Sequence, residues 1–114
     1  MSIYENIILL SENISEKIAN DKIKEIEDII KEGEGNILKK EYWGLRTLAY
    51  KIKKNSKAHY FLLNTENDFS LINKIKNKLK IDENHIRFLN LRIDEIDKEP
   101  SVILKNDSKN ERYK

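Results

Sequence analysis

Apolar side chains recur in six blocks along this 114-residue chain, and the spacing within each block predicts an element. Ile3–Leu10 (IYENIILL) is apolar at both parities, with Tyr4, Ile8 and Leu10 on one side and Ile3, Ile7 and Leu9 on the other. A strand of that kind belongs inside a sheet. From Ile14 the period changes: Ala19, Ile23, Ile26 and Ile30 mark one face of a helix. Ser15 is its predicted N-cap, Ile14 its staple on Ala19, and Gly33 or Gly35 its stop. Ile37–Ile52 reads as a long strand interrupted by Gly44, where a bulge or bend is expected. Ala58–Thr65 reads as the next strand, apolar on both sides at Tyr60–Leu63, and the short polar KNS between them predicts a β-hairpin. A second helix follows Asp68, its predicted cap, on the stripe Leu71 or Ile72, Ile75 and Leu79. His85–Ile93 (HIRFLNLRI) is the last strand. After Asp94 the periodicity fades into a polar tail with one apolar patch, Val102–Leu104.

The order is β-α-β-β-α-β, and the halves echo each other: IILLSENIS and YFLLNTENDFS each lead into a helix and then a strand. Two split β-α-β units fold most simply as an α+β, ferredoxin-like sandwich, a four-stranded antiparallel sheet with both helices on one face. The first and third strands become central, and the other sheet face has no helix to cover it. Residues 1–93 are the expected domain, and 94–114 a C-terminal tail, flexible or partner-bound.

Charge changes the picture. The formal total is only +2. Residues 1–35 hold four Lys against nine acids, residues 36–92 hold ten Lys and three Arg against five acids, and residues 93–114 hold four Lys and one Arg against six acids. The local sums of −5, +8 and −1 describe an acidic start and a basic middle. Such asymmetry points to a polyanion partner. The absence of Cys excludes a disulfide framework and a thiolate metal site. No apolar run is long enough for a membrane span, and MSIYENIILL lacks the basic lead of a signal peptide.

The stretch YWGLRTLAYKIKKNSKAHYFLL (Tyr42–Leu63) gathers the single Trp, three of the five Tyr and four Lys without an Asp, Glu or Pro. Within it, Gly44-Leu45-Arg46-Thr47-Leu48-Ala49-Tyr50-Lys51-Ile52 resembles the signature of bacterial small-subunit ribosomal protein six, roughly G-x-[basic]-x-L-[A/S]-Y-x-I. Tyr4-Glu5, Trp43-Gly44, Lys57–Tyr60 and the closing IRFLNLR extend the resemblance over about residues 1–93. Ser2, Thr47 and Lys51 depart from it, standing where members often carry Arg, a charged or amide residue, and Pro. The resemblance implies a cytoplasmic, ribosomal protein without catalytic activity or cofactor. It would bind the central domain of small-subunit rRNA as a heterodimer with small-subunit protein eighteen, with no membrane and no small-molecule substrate.

An A-form major groove is closed to side chains, so rRNA binding would rest on phosphate neutralisation and shape. The hairpin supplies reach and its tip supplies Lys51, Lys53, Lys54 and Lys57. Arg46 offers a planar fork for phosphate, against the alternative of a cross-strand ion pair. Arg87 and Arg92 on the last strand are the next candidates. The row Lys74, Lys76, Lys78 and Lys80 reads as a solvated helix face. Tyr42, Trp43 and Tyr50 invite base stacking, although packing is the more ordinary use of strand aromatics. His59 and His85 have no ligand spacing around them, so no metal is expected. The uncovered sheet and the patch Val102, Ile103 and Leu104 are the candidate partner surface.

Three rival readings share the fold class. An RNA-recognition domain would need two Gly and a final aromatic that KAHYFLLN lacks. A small-molecule-sensing regulatory domain would need a homodimer with a ligand pocket. An acylphosphatase-like enzyme would need an Arg-bearing, phosphate-cradling loop where SENIS stands.

Overall fold

The computed structural model describes residues 2–93. Six elements follow in order: β1 (Ser2–Ser11), α1 (Glu16–Glu32), β2 (Asn36–Ile52), β3 (Asn55–Asn67), α2 (Phe69–Lys80) and β4 (His85–Ile93). The sheet runs β2-β3-β1-β4, and every neighbouring pair is antiparallel. The two strands that are apolar at both parities, β1 and β3, are the central ones, so the ferredoxin-like expectation is met. Val102, Ile103, Leu104 and the rest of the tail lie outside the described residues.

Parity assigns the layers. Ile8 and Leu10 of β1 and Phe61 and Leu63 of β3 meet Ala19, Ile23, Ile26 and Ile30 of α1 and Leu71, Ile75 and Leu79 of α2. Each fully buried side chain of this size contributes about 1.5–3 kcal/mol. The opposite face has its own smaller cluster, Leu9, Leu48, Ala58 and Ile86, with Ile7, Ile52 and Tyr60 against it. Leu89 and Leu91 lie across from Ile7 and Glu5 on that uncovered face and are 47% and 59% exposed.

Local signals act as expected at α1. Ser15 Oγ accepts the Ile18 N–H at 3.2 Å, and Ile14 packs on the helix core. The helix ends at Gly33, but the left-handed residue is Glu34 (φ 65°). Gly35 is there for space: a Cβ would stand 2.8 Å from Ile30 Cγ2 and 3.0 Å from the Glu66 carbonyl oxygen. Gly44 does need its freedom. It has φ 89°, and the β2–β3 register shifts between Tyr42 and Gly44, which is the anticipated bulge.

The β2–β3 connection is tighter than expected. The turn is Lys53-Lys54, and Asn55 and Ser56 already belong to β3, opposite Ile52 at the first pair. Asn55 looks like turn material, yet it is buried. Its Oδ1 accepts from Ser11 Oγ at 3.0 Å and the Glu12 N–H at 3.1 Å, and its Nδ2 donates to the Lys53 carbonyl at 3.0 Å. Between the pairs Thr47–Lys57 and Ile52–Asn55, four residues of β2 face one of β3. Residues 48–51 therefore bulge, with Leu48 turned into the sheet cluster and Tyr50 and Lys51 outward.

Candidate nucleic-acid interface

Antiparallel pairing sends the end of β1, the β2–β3 turn, the end of α2 and the start of β4 to the same end of the sandwich. Lys51, Lys53, Lys54, Lys57 and Arg87 meet there, and all five are exposed. None of them forms an ion pair with another described residue. The tip is nonetheless not a free finger. Lys53 Nζ donates to the His85 carbonyl at 2.9 Å, tying the turn to β4 across the end of β1. Although Tyr42–Leu63 itself holds no acid, Glu12 reaches the tip from the β1–α1 loop, its Oε1 accepting the Ser56 N–H at 3.1 Å. The sequence hides this contact because Glu12 and Ser56 come from different elements.

Arg46 lies further down β2, opposite Ala58, and its Nε donates to the Trp43 carbonyl at 2.9 Å. That bond closes over the bulge and fixes the guanidinium on the uncovered face. Gly44, Tyr60, Leu9 and Arg87 form a row across the sheet by register. Burial pushes the Tyr60 phenol up in pKa, while the charges of Arg46 and Arg87 pull it down. Arg46 and Arg87 stand on the two opposite edge strands, with β3 and β1 between them.

Arg92 is not part of this group. It sits five residues along β4, about 16 Å away at the strand rise, at the opposite end of the sandwich. There it lines a separate cleft with Tyr4, Asp68, Phe69 and Asn90.

The aromatics divide. Trp43 is buried, stacks on Tyr60 at 6.2 Å between centroids and donates from Nε1 to Glu41 Oε1 at 2.7 Å. Tyr42 packs on Phe61 at 4.7 Å, and its hydroxyl meets His59 Nδ1 at 2.8 Å. The Ile14 carbonyl, 2.8 Å from His59 Nε2, can only accept, so Nε2 carries the proton and Nδ1 accepts from Tyr42. His59 is therefore a structural link between the hairpin and the β1–α1 loop. Only Tyr50 of the three candidate stackers is free to meet a base, at 65% exposure.

The α2 lysines are not one uniform solvated row. Lys78 Nζ lies 3.4 Å from Glu25 Oε1 on α1. Lys76 and Lys80 turn toward β4, where with Lys53, His85 and Arg87 they line a cleft of about 510 Å³. Sequence reading missed this pairing of helix and strand. The i, i+4 spacing of Lys76 and Lys80 was visible, but not which element faces them. Among the described residues, no three His, Asp or Glu side chains gather closely enough to hold a metal ion, and no helix is long and apolar enough to cross a membrane.

Fold and surface together define a ferredoxin-like α+β domain with one uncovered sheet face and a cationic end. The family model for Ribosomal protein S6 matches residues 3–92. A small ribosomal subunit protein bS6 of Rickettsia prowazekii is 44% identical over 108 residues, covering 95% of this chain and 89% of its own length. That of Rickettsia bellii is 43% identical over 108 residues, covering 95% and 90%. The crystal structure of 30S ribosomal protein S6 from Thermotoga maritima superposes with a TM-score of 0.76 at 25% identity, over 98% of this chain and 95% of that one. The chain belongs to the bacterial ribosomal protein S6 family, whose members are proteins of the small ribosomal subunit.

Proposed function

We propose that the chain is a non-catalytic, cytoplasmic component of the small ribosomal subunit that binds the central domain of small-subunit rRNA together with small-subunit protein eighteen. One observation carries the RNA reading: Lys51, Lys53, Lys54, Lys57 and Arg87 converge on one end with no ion pair to another described residue. Arg46 extends that surface onto the uncovered face. Arg92 becomes a second, separate contact. With Trp43 and Tyr42 committed to packing, binding rests on phosphates and shape, not on splayed bases.

The uncovered face also serves the protein partner. Leu89 and Leu91 project from the edge strand β4 without cover from described residues, and a chain of complementary shape would remove them from water. Val102, Ile103 and Leu104 of the tail are proposed to join that contact, and residues 1–93 to act as the rRNA-binding domain.

The test is filter or gel-shift binding to a transcribed central-domain rRNA fragment, with and without protein eighteen. About four phosphate contacts give a slope of log K against log salt of about −3 to −4. Arg46→Ala and the tip lysines changed to Ala weaken uptake and flatten that slope. Binding of equal strength and equal slope by all these variants refutes the assignment.

A further inference from the structure

The cleft at the corner of α2 and β4 is lined on its polar side by cations. Its polar walls are Lys53, Lys76, Lys80, His85 and Arg87, four formal cations and an imidazole, with no carboxylate among the lining residues. Of the acids nearby, Asp82 and Glu25 are engaged, and Glu83 is exposed and outside the lining. Asp82 Oδ2 holds Lys22 Nζ at 2.8 Å, and Asp82 Oδ1 accepts the Asn84 N–H at 2.9 Å. Glu25 is taken by Lys78 at 3.4 Å. Lys76 and Lys80 are one helical turn apart, so their amines leave α2 in the same direction. Lys53 is held at the rim by the His85 carbonyl. A second, independent feature points to a ligand: His85 Nε2 is buried with no hydrogen-bond partner of good geometry among the described residues, although the Leu79 and Arg87 backbone still pulls the ring's pKa up. Buried polar atoms are nearly always paired, so an unpaired one beside gathered cations marks a position that an acceptor would fill.

We propose that this cleft is a seat for one phosphate group, held by Lys76, Lys80 and Arg87 and reached by His85 Nε2. An oxyanion satisfies all of these donors at once, and charge-assisted bonds to several donors hold it more strongly than any single surface lysine. The source is a backbone phosphodiester of the bound RNA, and in that respect the assignment rests on the proposed rRNA binding. Free phosphate shares the chemistry and is the other source to be separated.

The full-length chain is titrated with inorganic phosphate at constant ionic strength, with chloride as control, and followed by amide and imidazole NMR shifts. Saturating shifts confined to Lys76, Lys80 and residues 85–88 are expected. The Lys76→Ala/Lys80→Ala double variant should weaken them about tenfold or more, the order of losing a charged hydrogen bond. Lys74→Ala, on the same helix but outside the cleft, should leave them unchanged. Non-saturating shifts spread equally over Lys74, Lys78 and the hairpin overturn the seat. A second arm measures uptake of the rRNA fragment. A matching loss in the double variant assigns the seat to the RNA backbone. Unchanged uptake with saturating phosphate shifts keeps the seat and assigns it to a small phosphate. If the wild-type chain takes up no RNA at all, the proposed function fails while the phosphate titration still decides the cleft.

Discussion

Replacing Lys54 by Gly should make this protein more stable and a weaker RNA binder at once. Lys53 and Lys54 have φ of 48° and 66°, both in the left-handed region, as a two-residue hairpin of this type requires. Asn-Gly is the favoured pair there, and two lysines are a poor one. A left-handed L-residue costs roughly 1–2 kcal/mol. A glycine returns about 0.5–1 kcal/mol of that through the larger entropy of its unfolded chain. The expected net gain is about 0.5–1 kcal/mol, which raises the melting temperature by roughly 2–6 °C in a domain of this size. The turn keeps its geometry because Asn55, not Lys54, locks it. Lys54→Ala is the matched control, since it removes the ammonium but keeps the strained Cβ. Thermal melts by circular dichroism should show Gly above wild type and Ala close to it. Salt-dependent RNA binding should show both variants with slopes shallower by about one unit. A Gly variant that melts at or below the wild type would refute the strain argument. An unchanged salt slope in both variants would show that no phosphate meets Lys54.

Gly35→Ala should lose about 1–3 kcal/mol in urea denaturation despite its ordinary φ, because the new Cβ meets buried Ile30 and the Glu66 backbone at 2.8 and 3.0 Å. Asn6→Ala should cost about 1–3 kcal/mol, since the Asn6 amide donates to the Leu63 carbonyl at 2.9 Å and to Thr65 Oγ1 at 3.2 Å and accepts from Asn90 at 2.6 Å. Asn6→Leu recovering full stability would argue against that network. Burial, followed by the charge of Lys53, lowers the pKa of His85 from its ordinary 6.5. The unfolded chain then binds more protons than the native one just below that value, so this contribution is complete above about pH 6.5 and is lost as pH falls through the lower native value. Urea midpoints at pH 7.5 and 5.5 should differ in that direction, and His85→Gln should narrow the difference.

The strands and helices were legible because their periods are strong and their order admits few topologies. β1 and β3 could be placed at the centre from two-sided apolarity alone, and Ser15, Gly44 and the α1 stripe announced themselves by residue type. Asn55 did not. Asn and Ser are turn residues by propensity, and only the neighbouring Ser11 and Glu12 make Asn55 a buried lock. Asn6 was equally silent: its partners Thr65 and Asn90 are remote in sequence, and an Asn-rich chain offers no reason to single one out. Of the candidate site, the tip cluster was readable as a run of lysines. The face on which Arg87 joins it depends on sheet register, which a one-residue slip would reverse. The placing of Arg92 at the far end follows from strand direction, and the turning of Lys76 and Lys80 toward β4 from how α2 packs.

Pairing also explains how a chain of net charge +2 presents a strongly cationic end. Two acids of α1 reach other elements. Glu27 takes Lys40 at 3.5 Å and Glu25 takes Lys78 at 3.4 Å, while Glu41 takes Lys39 at 3.4 Å and Asp82 takes Lys22 at 2.8 Å. Surface pairs that keep part of their contact with water add about 1 kcal/mol or less each to stability. Their larger effect is on where the unmatched charge is left. Each one cancels a cation in the helix layer or the first half of β2, and none reaches Lys51, Lys53, Lys54, Lys57, Lys76, Lys80 or Arg87. Unmatched cations are therefore concentrated at the hairpin end, the arrangement that would orient a polyanion before contact. The sequence asymmetry becomes a direction in space only after the ion pairs of the fold have cancelled the rest.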